Sequence, residues 1–77
     1  MKITIENTTK IVDLNGVPAR IWEGTTESGI PVHCFITRIA VPKDADESTL
    51  ACFARELEEQ RAPSAMIDAS YPARLVL

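Results

Sequence analysis

The side chains of this chain that are best suited to binding chemistry are two aromatic and three basic residues on two nearby segments. Arg20 and Trp22 are two residues apart, His33 and Phe35 are two residues apart, and Arg38 follows them. Because alternate residues of a β-strand point to the same face, each pair projects to one side of its strand. Aromatic anchors beside an arginine are typical of interface hot spots. We therefore take Arg20, Trp22, His33 and Phe35 as candidate binding residues, joined by Arg38 if the strand carries a bulge.

The sequence does not favour catalytic chemistry. His33 is the only histidine, and its neighbour Cys34 points to the opposite face of a strand, so the two make a poor nucleophile and base. The carboxylates of Glu56, Glu58 and Glu59 fall on a predicted exposed helix face, which is typical of a solvated surface. No phosphate-binding loop, dinucleotide-binding turn or nucleophile elbow occurs, and the ligand spacing of a zinc site is missing. We predict no enzymatic activity, no metal and no cofactor.

Length and charge narrow the class of protein. The 77 residues predict one domain spanning the whole chain, with a core so small that association with a copy of itself would add stability. The net charge of −3 argues against nucleic acid as the main ligand, since phosphate binding needs a clustered positive surface. The acidic residues gather late in the sequence, so a small anionic ligand at the first forty residues stays possible.

The compartment is predicted from the absence of targeting signals and from the cysteines. Residues 2–6 alternate between polar and apolar instead of forming the apolar stretch of a signal peptide. No run approaches the ~18 apolar residues of a membrane span. Cys34 and Cys52 are then expected as free thiols in a reducing cytoplasm, although one disulfide between them is arithmetically possible.

The first half of the chain predicts antiparallel strands. Asn15-Gly16 between two apolar runs indicates a two-residue hairpin, which sets Leu14 opposite Val17. In that register Pro18 falls in a non-hydrogen-bonded pair, where its missing N–H costs nothing. A third strand follows within residues 30–41, and a four-residue turn would set Ile21 opposite Val32.

The two registers together sort the side chains onto two faces. The predicted core face carries Val12, Leu14, Val17, Ala19, Ile21, Val32, Cys34 and Ile36. The predicted binding face carries Ile11, Asp13, Arg20, Trp22, His33, Phe35 and Thr37. An alternative left open is that the C-terminal segment folds over the second face and buries Trp22 and Phe35 as a second small core.

A single amphipathic helix is predicted after the strands. Asp44 is the expected N-cap, with Asp46 as the alternative, and the helix should end near residues 60–61, before Pro63. Its apolar stripe, formed by Leu50, Phe53 and Leu57, is expected to cover the core face of the sheet. A short strand within 66–70 or 74–77 is possible. The predicted fold is α+β: an antiparallel β-meander of three to five strands with one amphipathic helix on one face.

Residues 17–24 and 29–41, read as Val-Pro-Ala-Arg-Ile-Trp-Glu-Gly and Gly-Ile-Pro-Val-His-Cys-Phe-Ile-Thr-Arg-Ile-Ala-Val, resemble small uncharacterised proteins of tailed phages and prophages. That family has no assigned activity, so the resemblance transfers no site residues. It implies an accessory protein of the host cytoplasm, where such proteins often block host factors, including defence components.

Two functions remain open at this point. The first is association with a host protein, with a copy of itself, or with both, a homodimer being the expected assembly. The alternative is an oligomer that sequesters a small anionic ligand such as a nucleotide, with Arg20 or Arg38 on a phosphate and Trp22 or Phe35 stacked on a base.

Overall fold

The structure is a computed structural model that describes residues 1–65 and 67. Three antiparallel strands, β1 (Ile3–Leu14), β2 (Val17–Thr26) and β3 (Pro31–Ile36), form one sheet in the order β1-β2-β3, and one helix, α1 (Glu47–Leu57), follows. The predicted α+β class is confirmed. The strand considered within 66–70 or 74–77 falls almost wholly outside the described residues. Within the described part of the chain, no helix is long and apolar enough to cross a membrane.

The first hairpin forms as predicted. Asn15 and Gly16 both have positive φ, at 53° and 88°, and Leu14, Asp13 and Val12 lie opposite Val17, Pro18 and Ala19. The Asp13 carboxylate accepts the Gly16 N–H and so closes the turn. Local turn chemistry therefore fixes this part of the sheet.

We expect Gly16→Val to lower the free energy of unfolding by about 1 kcal/mol or more, because a β-branched residue is strained at positive φ. A Cβ at this position would meet nothing within 4 Å, so the loss would come from the backbone alone. Urea denaturation measures it, with Gly16→Asn as the control, since asparagine tolerates this conformation. Equal stabilities for the valine and asparagine variants would contradict the prediction.

A bulge interrupts β1 between Asn7 and Ile11. Asn7 lies opposite Trp22, but the next paired residue of β1 is Ile11, which lies opposite Arg20. The Thr8 side chain is fully buried there, and its hydroxyl donates a hydrogen bond to the carbonyl of Ile21. The chain that returns from the helix covers this edge: Arg61 N donates to the Asn7 carbonyl at 3.2 Å, and Thr9 N donates to the Arg61 carbonyl at 3.0 Å.

The predicted register between β2 and β3 is wrong. Ile21 lies opposite Phe35 instead of Val32, a shift of three residues. The shift arises at the turn between the two strands, because β2 continues as far as Thr26. The Thr26 N–H donates a hydrogen bond to the carbonyl of Ile30 at 3.0 Å across a short loop. Because side chains alternate along a strand, a shift by an odd number moves every β3 side chain to the other face.

The core consequently differs from the predicted one. Val12, Ala19 and Ile21 are buried as expected, but Phe35 packs against them. Val32, Cys34 and Ile36 lie on the other face, since Gly24, Trp22 and Arg20 are their partners on β2. The core face is covered by Ile67 from the C-terminal segment.

The helix begins at one of the two predicted N-caps but packs differently from the prediction. Asp46, the alternative N-cap, is the one used, and its carboxylate accepts the Thr49 N–H at 2.8 Å. The helix ends at Leu57, before residues 60–61. No residue of α1 is buried, and Leu50 is 46% exposed. The helix does not cover the predicted core face, and Phe53 is not a core residue.

Candidate functional site

An open groove lies between α1 and the sheet face that carries Trp22. Its volume is about 770 Å³, within the ~300–1,000 Å³ that small-ligand sites occupy. The sheet, the segment that follows β3, and the helix all contribute to its walls. The lining that matters for binding consists of Asn7, Arg20, Trp22, Ile36, Arg38, Ile39, Leu57 and Glu58.

Three of the five candidate binding residues, Arg20, Trp22 and Arg38, line this groove. Arg38 reaches it without the bulge that the sequence argument required, because β3 ends at Ile36 and residues 37–40 form part of the wall. His33 and Phe35 lie on the opposite face, since their partners on β2 are Glu23 and Ile21. The prediction that all the candidates share one face is wrong, and the register shift is the reason.

Arg20 is anchored at the floor of the groove. Its Nη1 donates a hydrogen bond to the carbonyl of Thr8 at 3.0 Å, within the bulge of β1. That bond fixes one end of the guanidinium and leaves its other donors for a bound group. Arg38 is exposed on the wall, so the groove combines one positioned cation with one that can adapt.

Asn7 is the buried polar residue of the groove, and residue-type reasoning missed it. It is 6% exposed and lies directly opposite Trp22. Its Nδ2 donates to the carbonyl of Leu57 at 2.9 Å, which ties the end of α1 to the sheet. Its Oδ1 is buried and has no hydrogen-bond partner among residues 1–65 and 67. Nothing in the local sequence marks this asparagine, because its partner is fifty residues away.

Trp22 and Asn7 border a second cavity as well as the groove. The half-buried Trp22 also borders a second, smaller cavity of about 370 Å³, and so does Asn7. This indole and the Asn7 amide therefore stand where the two cavities meet. Flat ligands stack on indole rings, and N–H groups bind to amide oxygens.

The opposite face is occupied by packing and by a buried carboxylate. The rings of His33 and Phe35 meet edge to face, with centroids 5.6 Å apart and an interplanar angle of 85°. Phe35 adds to the core, and His33 lies opposite Glu23. These contacts assign the pair to the interior side of the sheet rather than to the groove.

Glu23 is the second polar residue that the sequence argument missed. Its carboxylate accepts hydrogen bonds from the Ser64 hydroxyl at 2.7 Å, the Ser64 N–H at 2.9 Å and Arg61 Nη1 at 3.0 Å. Burial alone would raise the pKa of Glu23, but the hydrogen bonds from Ser64 and Arg61 outweigh it and lower that pKa. Glu23 thereby holds the C-terminal segment over the core.

The cysteines are free thiols, as predicted, and both are half-buried. Cys34 lies opposite Trp22, and Cys52 belongs to α1. Among residues 1–65 and 67, no group of three or more His, Cys, Asp or Glu residues is arranged to hold a metal ion.

Comparisons with models of protein families, with curated proteins and with solved structures found no match.

Proposed function

We propose that this chain is a non-catalytic binding protein that associates with another protein surface through the groove and the adjoining helix. The proposal is carried by one observation: Arg20, Trp22 and Arg38 line one open groove beside a helix whose apolar stripe is only partly buried. Aromatic and arginine side chains in a partly apolar depression supply the anchors that dominate protein interfaces.

The helix supports an association surface. An isolated helix of 11 residues is marginal in water, because most helix stability in proteins comes from packing of the apolar side. Leu50 is exposed, and Phe53 and Leu57 are half-buried. Coverage of this stripe by a partner would supply the missing burial.

A second copy of the chain is the proposed first partner. Only Val12, Ala19, Ile21 and Ile67 form the buried hydrophobic core among the described residues, so the monomer gains little from its interior. A two-fold interface presents the same surface twice and adds burial without adding residues. Glutamates on and next to α1, among them Glu56 and Glu58, are exposed and could oppose the arginines of the other copy.

The phage setting is a proposal supported by the resemblance of residues 17–24 and 29–41. It implies a host protein as a further partner and a role in blocking a host factor, in the host cytoplasm. The groove suits such a role, because it presents the aromatic anchor Trp22 beside two arginines.

The small-ligand alternative is favoured by one specific feature of the groove. Two arginines and an indole line a space of small-ligand size, which is the set of groups that binds a charged and planar molecule. Phe35, the other candidate for stacking on such a molecule, lies on the other face and is not part of that arrangement.

Trp22→Ala should weaken self-association while preserving the fold, because the side chain is half-buried in the groove and is not part of the core. We expect a loss of tenfold or more in the dimerisation constant, about 1.4 kcal/mol or above. Sedimentation measures it, with Ile30→Ala as the matched control, since Ile30 is an exposed apolar residue outside the groove.

An unmodified protein that sediments near 8.5 kDa at high micromolar concentration would contradict self-association. A Trp22→Ala variant that dimerises like the unmodified protein would contradict the assignment of the interface to the groove. Circular dichroism on each variant verifies that the fold is retained.

A further inference from the structure

The unpartnered oxygen of Asn7 is the feature of the groove that its architecture does not explain. Buried acceptors are normally satisfied, and an unsatisfied one is costly. The amide nitrogen of Asn7 is committed to the Leu57 carbonyl, so its orientation is set and Oδ1 is left as the acceptor that faces away from the helix end.

The surroundings of Oδ1 specify what could satisfy it. Asn7 and Trp22 lie opposite each other on adjacent strands, and both line the groove. A planar ring stacked on the indole would bring its edge towards the asparagine. The ring edge must carry a hydrogen-bond donor, such as an N–H group, because Oδ1 is an acceptor.

The charges of the groove specify the other end of the ligand. Arg38 is exposed on the wall formed by residues 36–40, and Arg20 adds a second cation that is fixed in place. Glu58 lines the groove from the end of α1, so an anionic group must lie on the side of residues 36–40. The groove therefore has one side suited to an anion and one aromatic position next to an unused acceptor.

We propose that the groove binds a planar anionic ligand whose ring edge carries an N–H donor, with Asn7 Oδ1 accepting that donor, Trp22 stacking on the ring and Arg38 holding the anion. A purine nucleoside monophosphate has this chemistry. The proposal rests on the small-ligand reading of the groove and adds the group that selects the ligand. Because Oδ1 is covered in the unliganded chain, a side chain beside it must move outward when the ligand enters.

The test uses the fluorescence of Trp22, the single tryptophan, and isothermal titration of the full chain with four compounds. AMP has the phosphate and the amino group, and purine riboside 5′-monophosphate lacks every base N–H. Adenosine lacks the phosphate, and ribose 5-phosphate lacks the base. We expect AMP to bind about tenfold more tightly than purine riboside 5′-monophosphate, the effect of one hydrogen bond to a buried acceptor.

Two variants separate the roles without disturbing the asparagine. Arg38→Gln should weaken AMP about tenfold and leave adenosine unchanged, whereas Lys43→Gln, an exposed cation outside the groove, should change neither. Asn7→Leu, followed by circular dichroism to establish folding, should abolish the difference between the two nucleotides.

Three results would overturn the proposal: no fluorescence or heat change with AMP at millimolar concentration, equal affinities for the two nucleotides, or equal affinities for AMP and ribose 5-phosphate. The proposed self-association uses the same groove, so sedimentation measures it on the same samples and the titrations are made at concentrations where the chain is monomeric. A monomer that ignores AMP but dimerises at higher concentration would overturn this inference and leave the proposed protein association standing.

Discussion

Gly24→Ala should disrupt the sheet, with a loss of about 3 kcal/mol or more in the free energy of unfolding. Gly24 lies opposite Ile5, in the middle of the five β1–β2 pairs that precede the bulge. A Cβ at this position would stand 1.7 Å from the Thr4 carbonyl oxygen and 2.7 Å from Ile5 Cα. Both obstacles are backbone atoms, so no side-chain rotation relieves the contact, and the first half of β1 must separate from β2.

Urea denaturation followed by circular dichroism measures this effect. The matched control is Thr25→Ala, the exposed neighbour on the same strand, which should change stability by less than about 1 kcal/mol. Since a small domain has only about 5–15 kcal/mol of stability in total, the glycine variant should unfold well before the control. Coincident denaturation curves would mean that β1 does not approach Gly24 closely.

The close approach at Gly24 illustrates what the sequence could and could not predict. The first hairpin follows from neighbours in the chain, because Asn15-Gly16 dictates the turn and Pro18 agrees with the register. The second turn contains five polar or small residues, 25–29, none of which fixes where pairing stops. A strand that continues two residues further, to Thr26, was enough to exchange the faces of β3.

The same limit applies to the site. Arg20, Trp22 and Arg38 could be selected by residue type, and they do line one groove. Asn7 and Glu23 could not, because their partners are fifty and forty-one residues away. Amphipathic spacing likewise shows which side of α1 is apolar, but it does not state which face of the sheet that side meets. Burial of a polar residue depends on contacts that only the folded chain reveals.

Glu23→Ala is the second large effect that we expect, about 2–3 kcal/mol of lost stability. The Glu23 side chain is only 11% exposed, and its removal leaves the Ser64 hydroxyl and N–H without their acceptor. We attribute little of this loss of stability to the ion pair with Arg61, because that side chain is 40% exposed and is screened by water. The segment that carries Ile67 would then be released from the core.

The control for this variant is Glu6→Ala. Glu6 also forms an ion pair with Arg61, at 3.6 Å, but the Glu6 side chain is 73% exposed. We therefore expect Glu6→Ala to lower the free energy of unfolding by less than about 0.5 kcal/mol. Hydrogen exchange of the Ile67 and Val12 amides would show whether the C-terminal segment opens in the Glu23 variant. Similar stabilities for the two alanine variants would contradict the role of Glu23.

The pH dependence of stability gives the sharper form of the prediction. The pKa of Glu23 is lower in the folded chain than in the unfolded one, so its charge stabilises the fold above the ordinary glutamate pKa of about 4.3. That contribution is lost as the pH falls through the lowered folded-state value. Glu23→Gln keeps the shape without the charge, so its stability should fall less than that of the unmodified protein between about pH 5 and pH 3. Parallel pH profiles for the two proteins would show that the charge of Glu23 does not hold the C-terminal segment in place.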